Sequence, residues 1–250
     1  MSEGISGDKP AVVVTGASRG IGHAIVKYFY DQGWDVITMA RTPFSTVCPW
    51  AEGIVRHVTV DLSDNRSIEA ATENLFELLG GNGLHALVNN AGISPKLPDG
   101  SRMTASKTDI ETFMSVQQVN LIAPLLLSQK LLSRLQQAQG AIVNVSSIAA
   151  TQIHPFAGSA YAVSKAALTT LTRELAYELA QTGVRVNSVA PGEIETSILS
   201  PGTHDVVQSD VPMKRLGSPK EVAEVVFFLA SSHASYITGS EIPINGGQHI

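Results

Sequence analysis

Short apolar runs alternate with amphipathic stretches along the whole 250-residue chain. Residues 11–15 (AVVVT), 35–40 (DVITMA), 54–60, 84–89 (LHALVN), 141–146 (AIVNVS), 184–190 (VRVNSVA) and 241–245 read as strands. They are rich in β-branched residues and bounded by turn formers. Helical spacing falls between them, over 21–32 up to Gly33, over 65–79 up to Gly80-Gly81, over about 109–137, over 161–180 up to Gly183, and over 219–230. Strands that are apolar on both faces belong to a parallel sheet covered by helices on both sides. Strand–helix alternation implies right-handed crossovers, and hence an α/β fold with one doubly wound parallel sheet. No shift of composition marks a boundary, so residues 1–250 read as a single domain. Its predicted mobile loops are 43–53, about 93–108 and about 192–217.

Composition narrows the function classes. Hydrophobic residues make up 44% and charged residues only 16%, which excludes disorder and points to much hidden surface. The net charge is −5, from 17 Lys+Arg against 22 Asp+Glu, with no basic block; nucleic acid is therefore not an expected partner. Cys48 is the one cysteine, so neither an internal disulfide nor a thiolate metal cage can form, and no metal site is expected. Residues 1–10 lack the apolar core of a signal peptide. The most apolar run, around 119–132, is broken by Asn120, Pro124, Gln129 and Lys130. The expectation is a soluble cytoplasmic protein without a membrane partner.

The first chemistry-bearing motif is Thr15-Gly16-Ala17-Ser18-Arg19-Gly20-Ile21-Gly22, between the first strand and the first helix. Gly16 allows a tight turn, Gly20 a close approach of pyrophosphate, and Gly22 close packing of helix and strand. The helix start offers free N–H groups to phosphates. In this position the motif marks a Rossmann-type dinucleotide site. The second strand ends in Ala40-Arg41, where a cofactor without a 2′-phosphate is usually met by Asp or Glu. Arg19 and Arg41 suit a 2′-phosphate by charge and bidentate geometry, which predicts NADP(H) over NAD(H); the plainer reading makes both solvated surface charges. Asp61, after the third strand, reads equally as an acceptor for an adenine amino group or as a helix-capping loop residue.

The second motif is Tyr161-x-x-x-Lys165, which places both side chains one turn apart on one helix face. A phenol is a poor proton donor and acceptor at neutral pH, and a neighbouring ammonium stabilises its anion. Ser147, at the end of the 141–146 strand, is placed to donate to a carbonyl oxygen that Tyr161 protonates. Ser146 is the neighbouring alternative, and position relative to the following IAA segment favours Ser147.

Together these motifs resemble the short-chain dehydrogenase/reductase family, in its single-domain form of about 250 residues. The resemblance rests on TGASRGIG (15–22), Asp61, NNAG (89–92), Asn120, NVSS (144–147), YAVSK (161–165), PGEIET (191–196) and YITGSEIPINGG (236–247), and it covers nearly all of 11–247. It implies a catalytic set of Asn120, Ser147, Tyr161 and Lys165, in which Asn120 holds a water linking Lys165 to solvent. It also implies cofactor contacts from Gly16, Ser18, Arg19, Gly20, Ile21, Gly22, Arg41, Asp61, Leu62, Asn89, Ala91 and Gly92, with the stretch 89–92 lying on the adenosine side and bracing the central sheet. Further contacts come from Tyr161 and Lys165, the latter on the nicotinamide ribose. Pro191, Gly192 and Ile194 shape the nicotinamide site, and Thr196 bonds the carboxamide or the phosphates.

The implied activity interconverts a small-molecule carbonyl and a secondary alcohol by hydride transfer, with tyrosine as general acid/base. Two segments are longer than the family pattern, between Asn89 and Asn120 and between Ser147 and Tyr161. Both flank the expected substrate mouth, and the second carries His154 as a possible substrate contact. One rival reading is a 3-oxoacyl-carrier-protein reductase. Arg173 suits an acidic carrier, but the turn 136–140 is uncharged. The other rival is a catalytically silent cofactor-binding regulator, against which the intact four-residue set argues. The broad apolar faces of LIAPLLL (121–127) and AALTTLTRELAYELA (166–180) predict a homotetramer.

Overall fold

The computed structural model describes residues 9–44, 48, 51–196 and 199–250 of the 250. The predicted N-terminal reading and much of the predicted 43–53 loop fall outside those residues. Seven parallel strands form one sheet: β1 (Ala11–Thr15), β2 (Asp35–Ala40), β3 (Arg56–Thr59), β4 (Ala86–Asn89), β5 (Ala141–Val145), β6 (Arg185–Pro191) and β7 (Glu241–Ile244). Their order is β3-β2-β1-β4-β5-β6-β7, so the chain crosses over between β3 and β4 and the winding reverses at β1/β4. In such sheets ligands lie beyond the carboxyl ends of the strands at that reversal.

The period of two divides each strand between two cores. Val13, Ile37, Met39, Leu87 and Ile142 belong to one core, packed by α2 (Asn65–Leu79) and α6 (Ser159–Leu179). Val12, Val14, Val36, Val88 and Val143 belong to the other, packed by α1 (Gly20–Asp31) and α8 (Pro219–Ala230). The first core is built of aliphatic residues and Met39, and the second adds the buried Phe29 and Phe44, with Phe29 edge-on to Trp34 and Phe227.

The helix predicted over 109–137 is interrupted. It consists of α3 (Ile110–Gln117), a π-helical turn (Gln118–Ile122), α4 (Ala123–Lys130) and α5 (Leu132–Ala138), with a break at Leu131. Pro124 has no N–H and lies four residues after Asn120, so the Asn120 main-chain carbonyl has no α-helical donor. By length and composition Ile110–Lys130 is apolar enough to cross a membrane. Here it packs on α6 and carries Asn120 fully buried.

The predicted loop 192–217 contains α7 (Thr203–Asp210), a two-turn helix that buries Thr203 and Val207. Its sequence THDVVQSD has only a narrow apolar stripe, so periodicity did not reveal it.

Candidate active site

A cleft of about 940 Å³ runs along the carboxyl edge of the sheet. It begins at Ala40, Arg41, Asp61 and Leu62, crosses the glycine loop, Ala91 and Gly92, and ends at Ser147, Tyr161, Lys165 and Pro191. Ser18, Arg19, Ile21, Gly192, Ile194 and Thr196 also line it.

The glycine loop is fixed by contacts that admit no side chain. Gly16 has φ +66°, and a Cβ there would lie 2.7 Å from the Ala91 Cα. A Cβ on Gly22 would collide with the Gly16 carbonyl oxygen and the Asn90 side-chain amide. Gly22 therefore lets the first turn of α1 pack closely on the chain leaving β1 and on Asn90 after β4, as predicted. Asn90 clasps the same loop, its Nδ2 donating to the Thr15 and Gly16 carbonyls at 3.0 Å each. The start of α1 has no side-chain cap and no acidic residue in its first turn. Its free N–H groups face a glycine-lined cleft, and the arrangement fits a dinucleotide's phosphates.

At the adenosine end Arg19 and Arg41 are exposed and line the cleft. The Asp61 carboxylate accepts from the Ser63 N–H (2.9 Å) and hydroxyl (2.7 Å). These bonds, and more weakly the charge of Arg41, hold it below the usual carboxylate range. The cap of α2 is Asp64, so the helix-capping reading of Asp61 falls away.

Asn89 does not reach the cleft. Its Nδ2 donates to Asn144 Oδ1 (2.9 Å) inside the sheet, and Asn144 Nδ2 donates to Thr172 Oγ1 (2.9 Å). Asn89 braces β4, β5 and α6, as the resemblance implied for 89–92, but strand alternation turns it away from the cleft that it was also expected to contact.

Ser147, Tyr161 and Lys165 meet at the other end. Lys165 is buried, and its Nζ donates to the Val145 carbonyl at 2.7 Å. It lies 5.7 Å from the centre of the Tyr161 ring. Burial lowers the ammonium to about 8. The Tyr161 phenol is raised by burial, opposed by a hydrogen bond with Ser147. The predicted lowering by Lys165 does not outweigh burial. Ser146 turns inward, its Oγ 2.9 Å from Thr169 Oγ1, so Ser147 is the serine that meets Tyr161.

The Asn120 amide makes three hydrogen bonds. Its Oδ1 accepts from the Ile93 N–H (2.8 Å), and its Nδ2 donates to the Ile93 carbonyl and to Ser164 Oγ (3.0 Å each).

A family model described as Enoyl-(Acyl carrier protein) reductase matches residues 16–249. The chain belongs to the short-chain dehydrogenase/reductase family. It is an oxidoreductase of that family, acting on CH–OH donors. It is 54% identical over 245 residues to Protein FixR of Bradyrhizobium diazoefficiens, covering 98% of this chain and 88% of that one. It is 38% identical over 249 residues to a 3-oxoacyl-[acyl-carrier-protein] reductase FabG of Aquifex aeolicus, covering 94% and 95%. A crystal structure of a Brucella ovis oxidoreductase of this family, in complex with a partially ordered NAD, superposes with a TM-score of 0.82 at 48% identity, covering 95% and 100%. A Brucella melitensis 3-oxoacyl-[acyl-carrier protein] reductase with bound NAD gives a TM-score of 0.86 at 32% identity, covering 98% and 93%.

The substrate end of this dehydrogenase/reductase is walled by three loops. Lys96 comes from the first, His154 and Phe156 from the second, and Glu193, Leu199 and Thr203 from the third. Of the apolar residues that the sequence of this third loop offers as substrate contacts, Ile198, Leu199 and Val206, the first lies outside the described residues. Val206 is absent from the lining, and Val207 is the buried valine of α7. Sequence reasoning missed Glu193 as a site residue, and it placed Asn90 within the cofactor-side stretch 89–92 without foreseeing its clasp on the glycine loop. Asn90 was signalled only by following Asn89 in NNAG, and Glu193 only as the acidic residue after Pro191-Gly192.

Proposed function

We propose that this protein is an NADP(H)-dependent oxidoreductase that interconverts a carbonyl and a secondary alcohol through Tyr161. The observation that carries the reading is the meeting of Ser147, Tyr161 and Lys165 at one end of a cleft whose other end has the features of a dinucleotide site. When bound, the nicotinamide cofactor supplies or accepts the hydride. The protein positions, polarises and moves the proton. Ser147 donates to the substrate oxygen, and Tyr161 gives that oxygen its proton in reduction and takes it back in oxidation. The buried Lys165 ammonium stabilises the phenolate left behind and would hold the ribose of the bound cofactor. The proton returns through water on the Asn120 main-chain carbonyl, which Pro124 leaves without a helical donor, rather than on the Asn120 amide, whose N–H groups are spent on Ile93 and Ser164.

Preference for the 2′-phosphorylated cofactor rests on Arg19, Arg41 and the lack of an acid at Ala40. The two Brucella structures described above contain NAD, so this preference comes from the chain's own residues.

The deciding test is Tyr161→Phe. Reduction of a panel of small ketones should lose kcat by on the order of a thousandfold or more, while NADPH affinity stays within about threefold. Substantial turnover by this variant would refute the role of Tyr161.

A 3-oxoacyl-carrier-protein reductase is the second reading, favoured by the Aquifex relative. The surface near β5 speaks against a strong carrier dock. Arg134 donates to the Gly80 carbonyl and lies over Phe76, and Lys130 pairs with Glu69, which leaves Arg173 exposed on α6. Comparing a carrier-bound 3-oxoacyl thioester with a free ketone of equal chain length separates the two readings. We further read the active form as a homotetramer, since Ile110, Met114 and Val163 leave an apolar face uncovered on α3 and α6.

A further inference from the structure

The wall of the cleft carries a pair that the proton chemistry above does not use. His154 Nε2 lies 2.5 Å from Glu193 Oε1, and the two side chains are only 11% and 9% exposed. The Phe156 N–H donates to His154 Nδ1 at 3.2 Å. A ring nitrogen that accepts carries no proton, so the imidazole proton sits on Nε2 and is donated to Glu193.

The backbone holds Glu193 in place. Its carbonyl accepts from the Gly217 N–H (2.9 Å), and the Glu195 N–H donates to the Gly217 carbonyl (2.8 Å). Lys96 Nζ donates to the Phe156 carbonyl, so the chain Lys96–Phe156–His154–Glu193 joins all three substrate loops. That bond directs the Lys96 charge to a main-chain oxygen. Among the described residues no lysine or arginine forms an ion pair with Glu193.

A carboxylate offers about four lone-pair sites. One here is met by a neutral imidazole, inside a cleft that a substrate must fill. An alkyl group laid against this carboxylate strips its water without replacing the lost hydrogen bonds, and an anionic group is repelled. A group with N–H or O–H donors replaces that water.

We propose that Glu193, oriented by His154, anchors a substrate subsite that selects carbonyl or alcohol compounds carrying an amine or hydroxyl donor beyond the reacting carbon. The proposal rests on the reading of the Tyr161 site as the place of carbonyl–alcohol interconversion. His154 is a positioning residue; Glu193 makes the substrate contact.

The test uses the cofactor-loaded protein and four secondary alcohols with the same reacting centre: 4-amino-2-butanol, 1,3-butanediol, 2-pentanol and 3-hydroxybutanoate. Both kcat/KM and dissociation constants from calorimetry are measured for each. The amine or the diol should exceed 2-pentanol and 3-hydroxybutanoate by on the order of tenfold or more. The amine leading identifies a cationic partner, and the diol leading a neutral one. Glu193→Gln should bring the ratio of the leading compound to 2-pentanol close to one, and His154→Gln should lower it through KM more than kcat. A merely structural strap would change thermal stability and leave that ratio alone. A wild-type ratio near one, a preference for 3-hydroxybutanoate, or a ratio unchanged in Glu193→Gln overturns the proposal. The wild-type binding ranking decides the matter even if a variant fails to fold. Turnover that survives Tyr161→Phe refutes the oxidoreductase mechanism instead, while that ranking still tests the subsite.

Discussion

The Lys165 ammonium donates to the main-chain carbonyl of Val145 at 2.7 Å, which ties the helix carrying Tyr161 to the strand that ends at Ser147. One bond thus fixes the spacing of the catalytic set, and it buries a charge to do so. Burial lowers Lys165 from 10.5 to about 8. Between those values the folded protein has released a proton that the unfolded chain still holds. Stability from this group therefore rises with pH across that window, while the ammonium needed at the site is lost across it. In the reduction direction, kcat/KM of the free enzyme should fall on one ionisation near pH 8. Over the same range the melting temperature of the wild type should rise relative to Lys165→Met. A rate profile flat to pH 10 would show that this lysine keeps its proton in the folded state.

The contact of Gly22 with the Gly16 carbonyl and Asn90 makes a second prediction. Gly22→Ala should destabilise the fold by about 1–3 kcal/mol and weaken dinucleotide binding, because the added methyl must push the glycine loop off the Asn90 clasp. Gly81→Ala is the control, since a methyl there meets nothing within 4 Å. Denaturant unfolding and cofactor titration of both variants check the contrast, and equal behaviour of the two would contradict it.

Cofactor choice gives a third. Ala40→Asp combined with Arg41→Ser should reverse preference toward NAD(H), by repelling a 2′-phosphate and offering an acceptor to a ribose hydroxyl. Measured kcat/KM ratios for NADPH and NADH decide it. Equal use of the two cofactors by the wild type would show that Arg19 and Arg41 are solvated surface charges.

The sheet was legible because its signals are local. Residues 11–15, 35–40 and 219–230 match β1, β2 and α8 to the residue. The strands announce themselves by β-branched runs, and α8 by its Ser218–Glu221 capping box with Pro219 at its start. What failed was decided by geometry that local pattern does not carry. The interruption at 118–122 follows from Pro124 acting four residues back, within a stretch whose apolar content reads as continuous helix. Asn89 and Asn90 are identical side chains on opposite sides of a strand end, and only the register distinguishes the one that clasps the glycine loop. His154 and Glu193 are 39 residues apart, so their pairing exists only once the third loop has folded against the second.

The last prediction concerns that third loop, residues 192–217. Its neck is closed by the bonds between Gly217 and the backbone of Glu193 and Glu195. Its far end is held by the buried Val211 and by the Met213 N–H donating to the Gly246 carbonyl at 3.1 Å. Between these anchors Leu199, Ser200 and Thr203 face the cleft, and α7 begins after Gly202 at φ +84° without a side-chain cap. A segment pinned at both ends, with a glycine before an uncapped helix, moves most easily as a flap about residues 199–202. Substrate and cofactor should hold that flap down, excluding water from the reacting carbon. Limited proteolysis should therefore cut near 199–202 in the free protein and slow by at least about tenfold with NADP(H) and a bound alcohol. Leu199→Ala should raise KM and reorder a substrate panel while moving stability by less than about 1 kcal/mol, because the leucine is part-exposed and lines the cleft rather than the core. Cleavage indifferent to ligand, together with an unchanged ranking in Leu199→Ala, would make the segment a fixed wall. Substrate choice would then rest on the static pair His154–Glu193 and its neighbours alone.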